Sequence, residues 1–236
     1  MNSETVPGEA LMRMHVEALF LHDAAGRMTR VNEPSGKAAP RFFIGRTPHG
    51  NEWRLRDDVD AALARELESA CAAEPTGEQF LTPPYGSTPF EAILGRFAPI
   101  ERKWAGPVYW IPHDVPVSSD TVLVTDANAN VLRPHLEPWL SDVALGLPLV
   151  ALVVDGHAVS ICGSVRTTAV ADEAGVDTPL EFRGRGYAGQ VVAAWARIVR
   201  EAGRVALYST SWENTASQAV ARKLGLVRFG TDLHFT

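Results

Sequence analysis

Leu11, His15 and Leu19 fall four residues apart, so residues 8–19 are expected to form a helix with one buried stripe. The period then shortens to two. Residues 19–22 and 28–31 flank Ala-Ala-Gly, and residues 41–47 and 52–56 flank Pro-His-Gly-Asn; each pair reads as a hairpin. Asp57 or Asp58 can cap a helix running to about residue 73, with Val59, Leu63, Leu67 and Ala70 or Cys71 on its apolar face. Residues 74–89 hold four prolines and two glycines and read as a connector, followed by a short helix over 90–97.

Residues 101–120 are again rich in Pro, Gly and Ser, with Tyr109, Trp110 and Ile111 as a short strand. A domain boundary is placed there, giving an N-terminal domain of residues 1–105 and a second of 106–236. Beyond it the pattern sharpens. Residues 121–125 are apolar and β-branched, 130–140 could be a short helix despite Pro134 and Pro138, and 149–155 and 158–168 are strands joined by Asp-Gly-His, a strong hairpin signal. A third strand is expected within 174–182. Ala188, Val191, Val192, Trp195, Ile198, Val199 and Ala202 then form one apolar helical stripe. A strand over 205–210, a helix over 214–224 and a weakly alternating tail over 227–235 complete the chain.

Composition narrows the classes. With 46% hydrophobic and 21% charged residues the chain is globular, and no apolar run approaches the roughly 18–20 residues that span a bilayer. Glu4, Glu9, Arg13, His15 and Glu17 leave no room for a secretory apolar stretch near the start, so a soluble, cytoplasmic protein without membrane partners is expected. Cys71 and Cys162 are the only cysteines, and the seven histidines lack metal-binding spacing, so no metal is expected. Net charge is −6, but residues 183–236 carry eight basic and three acidic residues, a local +5 against −11 elsewhere. That asymmetry points to a local anion site rather than to a nucleic-acid surface.

The candidate anion site is legible. Glu181-Phe182-Arg183-Gly184-Arg185-Gly186-Tyr187-Ala188-Gly189 lies between an expected strand and the strongest amphipathic helix. Glycines let backbone N–H groups approach phosphate oxygens, the helix N-terminus adds partial positive charge, and guanidinium groups add charge-assisted hydrogen bonds. Gly184, Gly186 and Gly189 also spell the dinucleotide fingerprint, but its context fails. The preceding strand carries Pro179 and Glu181, and about 20 positions later stand Tyr208, Ser209 and Thr210 rather than an acidic residue.

Arg183-x-x-Gly186-x-Ala188 resembles the (Q/R)xxGx(G/A) loop of the GNAT acyltransferases, in an FR47-like form with an additional N-terminal domain. Asn214-Thr215-Ala216-Ser217 followed by Lys223-Leu224-Gly225-Leu226 is similar to the asparagine helix that follows that loop in the same superfamily. The resemblance implies an α/β fold: a GNAT-like mixed sheet flanked by helices, preceded by a smaller α/β lobe that could be a degenerate half-copy. It implies that the fourth and fifth strands splay to admit the pantetheine arm of acetyl-CoA. Val176, Asp177 and Thr178 would then offer backbone groups to the arm, and one N–H there would polarise the thioester carbonyl. The residues from Arg183 to Ala188, namely Arg183, Gly184, Arg185, Gly186, Tyr187 and Ala188, would hold the pyrophosphate. Asn214 and Ser217 would line the opposite side.

The implied activity is N-acetyl transfer by direct attack of an amine, a small molecule or a peptide, on the thioester, in a monomer or homodimer. Glu173 and Asp177 are the candidate bases. Many relatives carry a tyrosine seven positions after the asparagine as acid; here that position is Ala221, leaving Ser209, Ser211 or Ser217 as hydrogen-bond donors. Tyr187 is expected on the helix surface and Tyr208 within the sheet. Two rivals stay open: a catalytically silent acyl-CoA sensor, and a protein-interaction module on the same fold.

Overall fold

The computed structural model describes residues 6–78, 89–117 and 120–236. Most of the proline-rich connector expected over 74–89 lies outside the described residues. By its internal contacts the chain divides into two units: Met1–Val108 with Ser209–Glu213 and Arg228–Thr236, and Tyr109–Tyr208 with Asn214–Val227.

In the first unit, helix α1 (Gly8–Leu19) buries Leu11, Met12, His15, Val16, Ala18 and Leu19 along one face. Strands β1 (Phe20–His22) and β2 (Met28–Val31) form the first antiparallel hairpin. Strands β3 (Phe42–Arg46) and β4 (Asn51–Leu55) form the second, and β11 (Val227–Phe235) pairs antiparallel along the other side of β3. Helix α2 (Ala61–Ala73) is capped by Asp60, not by Asp57 or Asp58: its carboxylate accepts from the N–H groups of Ala62 and Leu63. Its buried face, with helix α3 (Pro89–Phe97), covers Phe42, Ile44, Leu233 and Phe235. Strand β5 (Lys103–Trp110) begins in this unit. Gly106 on β5 is required there, because a Cβ would run into the carbonyl oxygen of Thr210.

In the second unit the strand order is β10-β9-β8-β7-β6, formed by β6 (Thr121–Leu123), β7 (Leu149–Val154), β8 (His157–Thr167), β9 (Ala171–Asp177) and β10 (Val205–Ser209). All neighbours are antiparallel except β9 and β10, which run parallel. The β7–β8 turn places Asp155 at φ 50° and Gly156 at φ 81°, the left-handed pair that matches the twist of a two-residue hairpin. The segment expected as one helix over 130–140 is two short 3₁₀ turns, Ala129–Leu132 and Glu137–Trp139, leading into α4 (Leu140–Val143). Pro134 and Pro138 prevent a longer run because neither offers an N–H. Helices α5 (Tyr187–Glu201) and α6 (Thr215–Lys223) complete the unit. Helix α5 lays Val191, Val192, Trp195 and Val199 into a core shared with Val150, Leu152, Val159 and Tyr208.

Candidate functional site

The parallel pair β9–β10 is where this unit opens. Its ladder runs only from Ala171–Val205 to Glu173–Leu207, while both strands continue beyond it. From Ala174 to Asp177, β9 is paired with β8 alone, with Ala174 opposite Ser164 and Asp177 opposite Ile161. A bulge between Ser164 and Arg166 shifts that register, and a bulge bends its strand and increases its twist. The bulged residue Val165 packs so closely on Gly175 that a Cβ at 175 would overlap its Cγ1. The strands therefore fork after Glu173 and Leu207.

The closed end of the fork is locked by a buried carboxylate. Asp172, fully buried, takes both Arg204 Nε (2.7 Å) and Nη2 (3.0 Å). Ser164 Oγ donates to it at 2.6 Å and Thr167 Oγ1 at 2.7 Å, while Trp195 Nε1 donates to Ser164 Oγ at 3.0 Å. Bulge, strand ends and helix α5 are thus tied to one anion.

The open end leads into a cleft of about 540 Å³. Val176, Asp177 and Thr178 line it from β9, and Tyr208 from β10. Arg183, Gly184, Gly186, Tyr187 and Ala188 line it from the loop and the start of α5, and Asn214 and Ser217 from the start of α6. Tyr187, expected on the helix surface, faces the cleft. Thr178 Oγ1 is held by Ser160 Oγ at 2.8 Å, and Arg183 Nε donates to the Thr178 carbonyl at 2.8 Å, fastening the loop to the strand end. Arg185 lies outside the lining: its Nη2 donates to the Glu181 carbonyl at 3.2 Å and its guanidinium lies 5.8 Å from the Phe182 ring centre. Glu173 lies outside it too, because it sits on the paired part of β9 and is 1% exposed.

The loop has the character of an anion cradle. Gly184 and Gly186 take φ values of 79° and 81°, and a Cβ at either would stand in open space, so their backbone groups are accessible. No side chain caps α5, whose N-cap is Gly186 itself. The N–H groups of its first turn are therefore available to an anion, as in phosphate sites at helix N-termini. Helix α6, by contrast, is capped: Asn214 Oδ1 accepts from the Ser217 N–H at 3.0 Å. Phe182, Val176, Val220 and Leu224 give the cleft an apolar wall.

The residue that the sequence pattern did not single out is Tyr208. It lies on a strand, as expected, but its hydroxyl meets Ser217 Oγ, at the start of α6, at 2.5 Å. Burial pushes the phenol up to about 12, with the Ser217 hydrogen bond pulling the other way. The phenol therefore stays neutral throughout the physiological range. Because its folded value exceeds the ordinary value near 10, it contributes stability that is intact below about pH 10 and lost as pH rises toward 12. In alkaline denaturation Tyr208→Phe should remove about 2–3 kcal/mol of that loss, and an unchanged slope between pH 10 and 12 would contradict the assignment. Cys71, raised to about 12 by burial, also contributes in this range, so the comparison must be made between variants.

Other side chains with chemical potential are taken up by packing. Cys71 and Cys162 are both buried free thiols. His234 stacks on Trp104 with ring centres 5.9 Å apart, and Trp53 packs against the core of the first unit. Ala221 is fully buried. Among the described residues there is no cluster able to hold a metal and no helix long and apolar enough to cross a membrane.

Residues 155–231 match the family model described as FR47-like protein. This segment is similar to that family. It makes up about a third of the chain and contains every residue lining the cleft except Pro116. The resemblance to GNAT acyltransferases carried by Arg183–Ala188 and Asn214–Leu226 falls inside the FR47-like segment. Among solved structures, a protein from Novosphingobium aromaticivorans DSM 12444 placed in the GNAT family is 17% identical, with a TM-score of 0.49. The match covers 58% of this chain and 65% of that one, just under two thirds of its length. A GNAT-family acetyltransferase from Colwellia psychrerythraea is 14% identical over 78% of this chain and 75% of its own, with a TM-score of 0.48. The aminoglycoside N-acetyltransferase AAC(6′)-Iy, solved in complex with CoA, is 24% identical over 47% of this chain and 92% of its own, with a TM-score of 0.39. No curated protein matches the chain.

Proposed function

We propose that the protein is an N-acyltransferase, using acetyl-CoA as donor and a small-molecule or peptide amine as acceptor. The observation that carries this reading is the fork between β9 and β10, which opens onto an uncapped helix N-terminus flanked by Arg183, Gly184 and Gly186. An elongated ligand with an anionic end suits that shape. The pyrophosphate would be held by the first-turn N–H groups of α5, by the loop glycines and by Arg183. Tyr187 and Ala188 would flank it, and Arg185 would add charge from outside the lining. The arm would lie along the unpaired backbone of Val176, Asp177 and Thr178, facing Asn214 and Ser217.

Bound there, acetyl-CoA would supply a carbonyl activated as a thioester. The chain's own part is to position and polarise. A backbone N–H at the unpaired end of β9 would donate to the carbonyl oxygen, an interaction that strengthens as negative charge gathers there. Asp177 would take the proton of the attacking amine, directly or through water; that it lines the cleft while buried Glu173 does not supports this choice of base. The work sits in a cytoplasmic protein, as a monomer or homodimer.

Calorimetric titration with acetyl-CoA, with NAD as control, tests the reading. Micromolar binding of acetyl-CoA and none of NAD is expected, followed by thiol release when amines are supplied. Absence of acetyl-CoA binding would overturn the proposal. Tight binding with no turnover on any amine or peptide would favour a silent acyl-CoA sensor.

A further inference from the structure

The anion loop rests on a histidine that lies outside the cleft. The loop opens with a 3₁₀ turn, Leu180–Phe182, whose Phe182 belongs to the cleft wall. The His135 ring meets Phe182 edge-on with centres 4.9 Å apart, and its Nδ1 lies 3.5 Å from Glu181 Oε1. Two adjacent residues of the loop are thus held by one side chain. His135 is fixed in turn by its neighbours: Leu132 and Leu136 are buried in the core, and His157 Nδ1 donates to the Arg133 carbonyl at 2.7 Å. Glu181 is the only acidic residue between positions 178 and 190, and it stands two residues before Arg183. An unpaired carboxylate there would oppose the binding of any anion.

We propose that His135 is a positioning residue for the anion loop: protonated, it pairs with Glu181, neutralises that carboxylate and raises the affinity for acyl-CoA as pH falls. This rests on the acyl-CoA reading above. Histidine is the side chain whose charge ordinarily changes between about pH 5 and 8, whereas the arginines of the loop stay charged throughout. The groups around His135 set the direction. Glu181 favours the imidazolium. Arg133 opposes it but is engaged by Glu137 at 2.6 Å, and His157, with ring centres 6.2 Å apart, opposes it only when charged itself. Arg185 lies across Phe182, where it donates to the Glu181 carbonyl. The side chains of the pair are 29% and 58% exposed, so solvent screens it and the outcome is a graded adjustment of affinity.

Calorimetric titration with acetyl-CoA between about pH 6 and 8 tests this without turnover. A phosphate monoester of the ligand ionises in the same range, near about 6, so the readout is the difference between variants measured with the same ligand. From pH 8 to 6, affinity should rise about three- to fivefold more in the wild type than in His135→Gln, which stays polar but cannot charge. By linkage, the wild type should take up about 0.3 proton more on binding near pH 6.5, read from the dependence of the binding heat on the buffer. Glu181→Gln, at an exposed position, should lose the same response and serves if the histidine variant folds poorly. In that background His135→Gln should add no further pH dependence, because the coupling runs through the pair. His157→Gln should keep the wild-type response. A merely structural role for His135 would change affinity by the same factor at every pH. Parallel profiles in the wild type and His135→Gln, or a response that survives Glu181→Gln or follows His157, would overturn the proposal while leaving acyl-CoA binding intact. Failure of the wild type to bind acetyl-CoA would overturn both.

Discussion

Gly186→Glu is expected to lower acetyl-CoA affinity by about a hundredfold or more. Three effects add at this position. The residue sits at φ 81°, where a side chain costs roughly 1–2 kcal/mol in backbone strain. The new carboxylate would occupy the mouth of the uncapped helix that is proposed to receive the pyrophosphate. It would also repel the ligand directly. Losing or blocking two charge-assisted hydrogen bonds, at about 1.5–3 kcal/mol each, accounts for the factor. Gly186→Ala separates these effects, because it carries the strain without the charge and should weaken binding about tenfold at most. Stability should fall little in the glutamate variant, since a negative charge at a helix N-terminus offsets part of the strain. Wild-type affinity in Gly186→Glu by calorimetry would mean that the loop does not hold the ligand.

The second large effect concerns stability. Arg204→Leu leaves Asp172 fully buried without its counter-charge, and removing one partner of a buried pair costs about 3–5 kcal/mol. With a urea slope of about 2–3 kcal/mol per molar, the midpoint should drop by about 1 M or more. Asp172→Asn should cost less, because an amide can keep some of the contacts with Ser164, Thr167 and Arg204. Acyl-CoA binding should weaken as well in the arginine variant, since this network closes the fork at its fixed end. A midpoint shift under about 0.3 M would show that the network contributes little.

The sequence made the local elements plain and the long-range ones less so. The two N-terminal hairpins, helix α1 and the Asp155–Gly156 turn follow from spacing and turn chemistry that act over a few residues. The cap of α2 falls two positions after Asp58 and three after Asp57 because all three aspartates are competent caps, and only the geometry of the turn after β4 selects Asp60. The strand expected within 174–182 begins at Ala171 and ends at Asp177. Its first residues, Asp172 and Glu173, look like surface charges in sequence and are buried in the fold, since partners such as Arg204 lie far along the chain. The loop from Arg183 to Ala188 could be seen because glycines, arginines and a helix start are contiguous. Tyr208 could not, because its significance rests on Ser217, nine residues away across a turn, and on a ladder that stops one residue before it.

The pairing of β3 with β11 bears on how the chain is made. Residues 42–46 are synthesised long before their antiparallel partners Thr231 to Phe235. The first unit therefore cannot complete its own sheet while the chain is growing, and must wait with Phe42, Ile44 and the inner faces of α2 and α3 lacking Leu233 and Phe235. Residues 109–208, by contrast, are already in place when the ribosome reaches Ser209. Domains usually mature in the order of translation. Here an early strand is completed by a much later one, and a stalled or truncated chain lacking β11 would leave Phe42 and Ile44 without Leu233 and Phe235.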